Sequence, residues 1–157
     1  HPEVWVSVSA TTREPRPTEV DGVHYNFVSE SEFDELVATD GLLEWAVVHG
    51  VARYGTPAAP VRAAVAAGRR VILEIEVQGA RQVKQRLPEV RTVFIAPPTW
   101  DTLKDRLVGR GTETAEQMAR RLRTAETELA LAAEFDHVVV NDDLGRAVAE
   151  LVELLGL

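Results

Sequence analysis

The sequence predicts an α/β domain built on a parallel sheet, and three observations carry that prediction. From residue 69 onward, strand-like and helix-like segments alternate. Within that stretch "RRVILEIE" (69–76), "RTVFIAPP" (91–98) and "DHVVVN" (136–141) are near-continuous apolar runs, the pattern of strands buried on both faces. The chain has 157 residues, 45% hydrophobic and 27% charged, which suits one domain with a packed core.

Each element has a local reason. "VWVSVSA" (4–10) alternates and is β-branched, so it reads as a strand. "SESEFDELVATDG" (29–41) sets Ser29 and Glu32 at capping-box spacing ahead of a Phe33, Leu36, Val37 stripe, with Gly41 closing the helix. "LLEWAVVHG" (42–50) reads as a strand, and alanine-rich "AAPVRAAVAAG" (58–68) as a helix ending at Gly68. "GARQVKQRL" (79–87) and "TWDTLKDRLVGRG" (99–111) come next as helices. In the helix after them, 114–135, Thr114 and Gln117 form a capping box and Met118, Leu122, Ala125, Leu129 and Ala132 share a stripe. "DLGRAVAELVELL" (143–155) closes the chain as an amphipathic helix. Residues 10–66 stand out as a more polar insertion of mixed character.

A formal net charge of −8 argues against broad nucleic-acid binding, and it makes any local arginine cluster more informative. With no cysteine, disulfides and thiolate metal sites are excluded. No apolar run reaches membrane-spanning length and no signal peptide is visible, so no membrane partner is expected and cytoplasmic is the default location. His24, His49 and His137 show no metal spacing, and Trp5, Trp45 and Trp100 read as packing residues.

Ligands of open parallel sheets bind beyond the carboxyl ends of the strands, and several polar residues fall there. "SATTREPRPTEVDGVHYNF" (9–27) places Arg13 and Arg16 three apart beside Pro15 and Pro17. Guanidinium forks match phosphate oxygens, prolines lower the entropy of holding them, and Tyr25 and Tyr54 can donate to the same anion. Solvated surface arginines are the competing account. Glu44 lies in the apolar strand "LLEWA", where a carboxylate needs donors. Guanine supplies two, N1–H and N2–H, with Thr56 of "YGTP" as a neighbouring hydroxyl; a rim glutamate facing water is the alternative. In "EIEVQGA", Glu74 and Glu76 share a strand face, and Gly79 permits a close backbone approach. These two carboxylates either serve Mg²⁺ or a base, or pair with Arg69, Arg70 or Lys84. Arg106 and Arg110 lie four apart with Arg121 further on, and Gly109 and Gly111 between them mark a hinge, so the segment is either a lid or a helix pair laced with salt bridges. Asn141 ends the last strand.

Taken in order and spacing, "SVSATTREPRPTEVDGVHYNF", "LLEWA", "YGTP", "VILEIEVQGA", "FIAPP", "RLVGRGTE" and "VVVNDDL" resemble guanylate kinase over essentially the whole chain. The resemblance implies transfer of the γ-phosphoryl group of ATP to GMP or dGMP, with Mg²⁺. It implies that Arg13, Arg16, Tyr25 and Tyr54 hold the GMP phosphate and that Ser9, Glu44, Thr56 and Glu74 surround the guanine. Arg106, Arg110 and Arg121 would act on the ATP phosphates and the transferring group, Asn141 would lie near the adenine, and Glu76 would reach the metal through water. Residues 10–66 become the GMP-binding region and 101–127 the lid, with 1–9, 67–100 and 128–157 as core.

Three departures qualify the likeness. Glu76 stands where many relatives have aspartate, and "VAR" (51–53) stands where relatives usually carry two residues. No G-x-x-x-x-G-K-[S/T] occurs in these 157 residues. The expectation is therefore a P-loop kinase core lacking its first strand–loop–helix unit, which would lie upstream of His1. A chain without it is expected neither to turn over nor to be stable alone. The competing function is a non-catalytic guanylate kinase-like module that binds phosphorylated peptides with the same clamp.

Overall fold

The protein is described by a computed structural model covering residues 1–48, 50–108 and 114–157. These residues form two compact units, His1–Val90 and Arg91–Leu157. The first runs β1 (Val4–Val6), β2 (Ala10–Thr11), β3 (Asn26–Phe27), α1 (Glu30–Ala38), β4 (Leu42–Val48), β5 (Ala52–Pro57), α2 (Ala58–Ala66), β6 (Arg70–Ile72) and α3 (Val77–Arg86). The second runs β7 (Val93–Ala96), α4 (Trp100–Val108), α5 (Ala115–Ala130), a 3-10 turn at Ala132–Glu134, β8 (His137–Val140) and α6 (Leu144–Leu154).

Parallel pairing is present as expected, in two pairs: β1 with β6, and β7 with β8. The expected strand 4–10 is in fact two. The Ser7 N–H makes a last rung to the Ile72 carbonyl (2.9 Å), and by Ala10 the chain has entered a different sheet of order β3-β2-β5-β4. Alternation reveals a pleat but not which partner answers it. Strand 69–76 is shorter than expected for the same reason. It ladders with β1 only over Arg70–Ile72, and by Glu76 the chain is already capping α3, which starts at Val77 rather than Gly79. The apolar runs are also less buried than a both-faced strand requires. Val139 is fully buried, whereas Val138, Val140 and Ile95 remain exposed.

Helix starts match the sequence closely. Ser29 and Glu32 form the capping box of α1, and Thr114 and Gln117 that of α5. α1 ends earlier than Gly41: the helix stops at Ala38, and Asp40, with φ of 51°, takes the left-handed position. Gly41 instead permits a close approach, since a Cβ there would sit 3.1 Å from the Leu36 carbonyl oxygen. Ala132 falls in the 3-10 turn rather than on α5.

The four-stranded sheet carries the polar residues at the centre of the first unit. β5 lies between β2 and β4, antiparallel to both, in the registers Thr11↔Tyr54, Ala46↔Tyr54 and Glu44↔Thr56. One core cluster joins Leu43, Ala58, Val61 and Val83, with Trp5, Val71, Leu73 and Ile75 packed on it; another joins Ala10, Phe33 and Leu42. Tyr54, Thr56 and Glu44 are thus mounted on strands whose neighbours are buried.

Candidate functional site

The two loop arginines converge. Arg13 Nη2 donates to Glu19 Oε1 at 2.8 Å, and Arg16 Nη1 lies 3.7 Å from the same oxygen. Arg13 Nε donates to the Tyr54 hydroxyl (2.9 Å) and Nη1 to the Glu14 carbonyl (2.7 Å). Its guanidinium carbon also stands 5.5 Å and 5.7 Å from the Tyr25 and Phe27 ring centroids, within cation–π range. Tyr25 and Tyr54 meet edge to face at 5.7 Å. Tyr54 accepts from Arg13, so its own proton is free to be donated to an anion. Burial, followed by the charges of Tyr54 and Glu74, raises the Tyr25 pKa, so that phenol stays protonated as a donor. The cluster holds two cations, one carboxylate and two hydroxyl groups.

The carboxylate in the cluster, Glu19, carries no signal in the sequence. Its pKa is lowered to about 2, first by the Arg13 hydrogen bond and then by the Arg16 backbone N–H. Only the loop geometry reveals this partnership.

Glu44 is a different kind of carboxylate. It is 5% exposed, on β4, and its Oε1 accepts from the Thr56 hydroxyl at 2.6 Å. The rim-glutamate account is therefore wrong. Burial raises its pKa, the Thr56 hydroxyl and backbone oppose that rise, and the nearby Glu76 charge adds to it. Gly79 of α3 packs directly against the carboxylate: a Cβ there would fall 2.9 Å from Glu44 Cδ and nearer still to Oε2. A second contact from α3 was missed by sequence reasoning. Gln82 accepts from the Trp45 N–H (3.2 Å) and donates to the Trp45 carbonyl (2.7 Å), fixing the residue beside Glu44. Its side chain bridges 37 positions, which no local pattern signals.

The other expected residues divide. Ser9 precedes β2 half-buried, and its carbonyl accepts from the Asn26 N–H at 2.8 Å. Glu74 is exposed, and its charge acts on Tyr25 in the arginine cluster. Neither Glu74 nor Glu76 forms an ion pair among the described residues, and Arg69 turns instead to the Pro2 and Val4 carbonyls. Glu76 is the N-cap residue of α3, but its side chain makes no capping hydrogen bond. Among the described residues no group of three or more His, Asp or Glu side chains is placed to hold a metal. The Glu76 carboxylate, one group without a second ligand beside it, fits Mg²⁺ only in the mode where the ion keeps most of its waters and leans on substrate phosphates.

In the second unit, Arg106 is exposed in the last turn of α4 and donates to the Asn141 carbonyl at 2.8 Å. The two residues expected at one ligand are thus in direct contact. Arg106 pairs with no carboxylate among the described residues, although Lys104–Asp101 (3.9 Å) and Arg120–Glu116 (4.0 Å) bear out part of the salt-bridge account. Arg121 is half-buried on α5. Arg110, Gly109 and Gly111 lie outside the described residues, as does His49.

Comparison with known proteins identifies the family. A family model described as guanylate kinase matches residues 1–156. The chain is 59% identical over 157 residues to the guanylate kinase of Cutibacterium acnes, covering 100% of this chain and 79% of that one. It is 59% identical over 155 residues to that of Bifidobacterium longum, covering 96% and 79%. The crystal structure of guanylate kinase from Anaplasma phagocytophilum superposes with a TM-score of 0.84 at 31% identity, covering 98% of this chain and 75% of that one.

Proposed function

Because this chain belongs to the guanylate kinase family, we propose that its arginine–tyrosine cluster and its buried Glu44 together hold GMP for phosphorylation by ATP. The activity is that of an ATP:GMP phosphotransferase. The observation that supports the site assignment best is the pairing on one hairpin. Tyr54, hydrogen-bonded to Arg13, and Thr56, hydrogen-bonded to Glu44, are two residues apart on β5 and so face the same side of the sheet. A phosphate grip and a purine reader at that separation suit one nucleotide.

In this reading Arg13, Arg16, Tyr25 and Tyr54 bind the GMP phosphate, and Ser9, Glu44, Thr56 and Glu74 line the guanine. Glu44 accepts from guanine N1–H and N2–H. Adenine offers an acceptor and a C–H at those positions, which leaves the buried carboxylate without partners. Residues 10–66 form the GMP-binding region and 101–127 the lid, with the remaining segments as core. Arg106, Arg110 and Arg121 neutralise charge on the donor phosphates, and Asn141 lies near the adenine. Glu76 would hold Mg²⁺ through water, and the ion when bound would supply charge neutralisation to the phosphates.

The acceptor is an oxygen of a phosphate that is largely dianionic at neutral pH, so no general base is required. What this chain contributes is alignment and electrostatic complementarity. dGMP fits the same contacts, since none uses the 2′-hydroxyl. A cytoplasmic location belongs to the same proposal, because both nucleotides are found there.

Calorimetric titration with GMP, AMP and a phosphoserine peptide tests the reading. GMP is expected to bind at least ~100-fold more tightly than AMP, and Glu44→Gln should remove most of that ratio. Equal affinity for the two nucleotides, or binding of the peptide in preference to GMP, would defeat it.

A further inference from the structure

Arg13 and Arg16 are joined by a single residue. Glu19 Oε1 takes the Arg13 Nη2 hydrogen bond at 2.8 Å, and Oε2 accepts the Arg16 backbone N–H at 2.7 Å. Its own backbone N–H returns to the Arg16 carbonyl at 3.0 Å. One residue therefore closes the turn with both its main chain and its side chain. The Glu19 side chain is 11% exposed, while Arg16 beside it is 56% exposed.

Building on the proposed GMP site, we infer that Glu19 is a positioning residue of the phosphate clamp, setting the separation of Arg13 and Arg16 before ligand arrives. It is not itself a ligand, since carboxylate and phosphate both accept hydrogen bonds and repel.

Two effects of opposite sign meet at this residue. The Glu19 charge repels an incoming dianion, whereas its hydrogen bonds remove the entropy cost of ordering two long side chains at the moment of binding. The geometry favours the second. A guanidinium has five N–H donors. In Arg13, Nε serves Tyr54, one N–H of Nη1 serves Glu14 and one of Nη2 serves Glu19, so one N–H remains on each terminal nitrogen. Glu19 thus fixes Arg13 without exhausting it, and it screens two guanidinium groups that would otherwise face each other. Arg16 is tied chiefly through its backbone, so its side chain is the less constrained of the two.

Were Glu19 instead a stand-in that phosphate displaces, removing its charge would tighten GMP. The two roles therefore predict opposite signs. Glu19→Gln keeps the size and one acceptor, but its amide nitrogen cannot accept the Arg16 N–H. Dissociation constants for GMP and for guanosine are measured by NMR titration in the wild type, Glu19→Gln and Glu19→Asp. GMP is expected to weaken about tenfold in Glu19→Gln, with guanosine unchanged within about twofold, and Glu19→Asp should fall between. Unchanged or tighter GMP binding, or an equal loss for guanosine, overturns the inference; should Glu19→Gln fail to fold, the same criteria apply to Glu19→Asp. A wild type that ignores GMP defeats the functional reading, whereas a wild type that binds GMP no better than Glu19→Gln does defeats this inference alone.

Discussion

Two carboxylates in the first unit have opposite fates. Glu19 sits in a loop against two arginines, and its pKa is held at about 2. Glu44 sits inside a strand with a hydroxyl for company, and burial pushes its pKa up. The first has its partners supplied by the fold. The second is kept short of positive charge, with a raised proton affinity that an arriving donor pair would reverse. A carboxylate whose partners the fold supplies serves structure, and in the proposed site the one with the raised proton affinity is the one offered to the ligand.

The sharpest way to break this contrast is to crowd the second carboxylate. Gly79→Ala places a methyl group against a Glu44 side chain already held by Thr56. The carboxylate must tilt, so GMP affinity should fall ~100-fold while the melting temperature falls by only a few degrees. A variant that binds GMP normally would show that Glu44 tolerates displacement. A smaller change is expected from Thr56→Val, which deletes the hydroxyl donor but keeps the shape. GMP should weaken about tenfold, and binding should begin to fail at a higher pH as acid is added, because the Glu44 pKa rises further. GMP affinity of wild type and variant followed as acid is added checks this, and an unshifted profile would separate Thr56 from the carboxylate.

The mildest test sets the two residues side by side in acid. The lowered pKa of Glu19 means its contribution is present above the usual 4.5 and is lost as pH falls toward about 2. Glu44 has the reverse sign: its protonated form is favoured by folding, so its contribution is full below 4.5 and lost as pH rises through the raised value. Melting temperatures of wild type minus Glu19→Gln should decline with acid, and those of wild type minus Glu44→Gln should climb. Parallel curves would erase the distinction.

How much of the molecule is legible in its sequence depends on the range of each interaction. Capping boxes at Ser29 and Thr114 involve residues three apart, and both stand in the sequence as they stand in the structure. Arg13, Arg16, Glu44 and Thr56 are visible as charges or hydroxyls out of place in their local pattern. β3 and β5 are not: the first has two residues, and "ARYGTP" lacks an apolar repeat, so both depend on a neighbouring strand. Strands are shorter than their apolar runs because such a run does not announce where its partner turns away. Glu19 and Gln82 escape because their chemistry arises only once a turn has closed or a helix has docked.

Gln82 has one consequence outside binding. β4 is the last strand of its sheet, and its outward peptide groups at Trp45 are matched by the side-chain amide of Gln82 almost as another strand would match them. A foreign polypeptide seeking to zip onto that border finds those rungs already taken. Clearing the amide would offer the border to a second molecule, and self-association would begin there first.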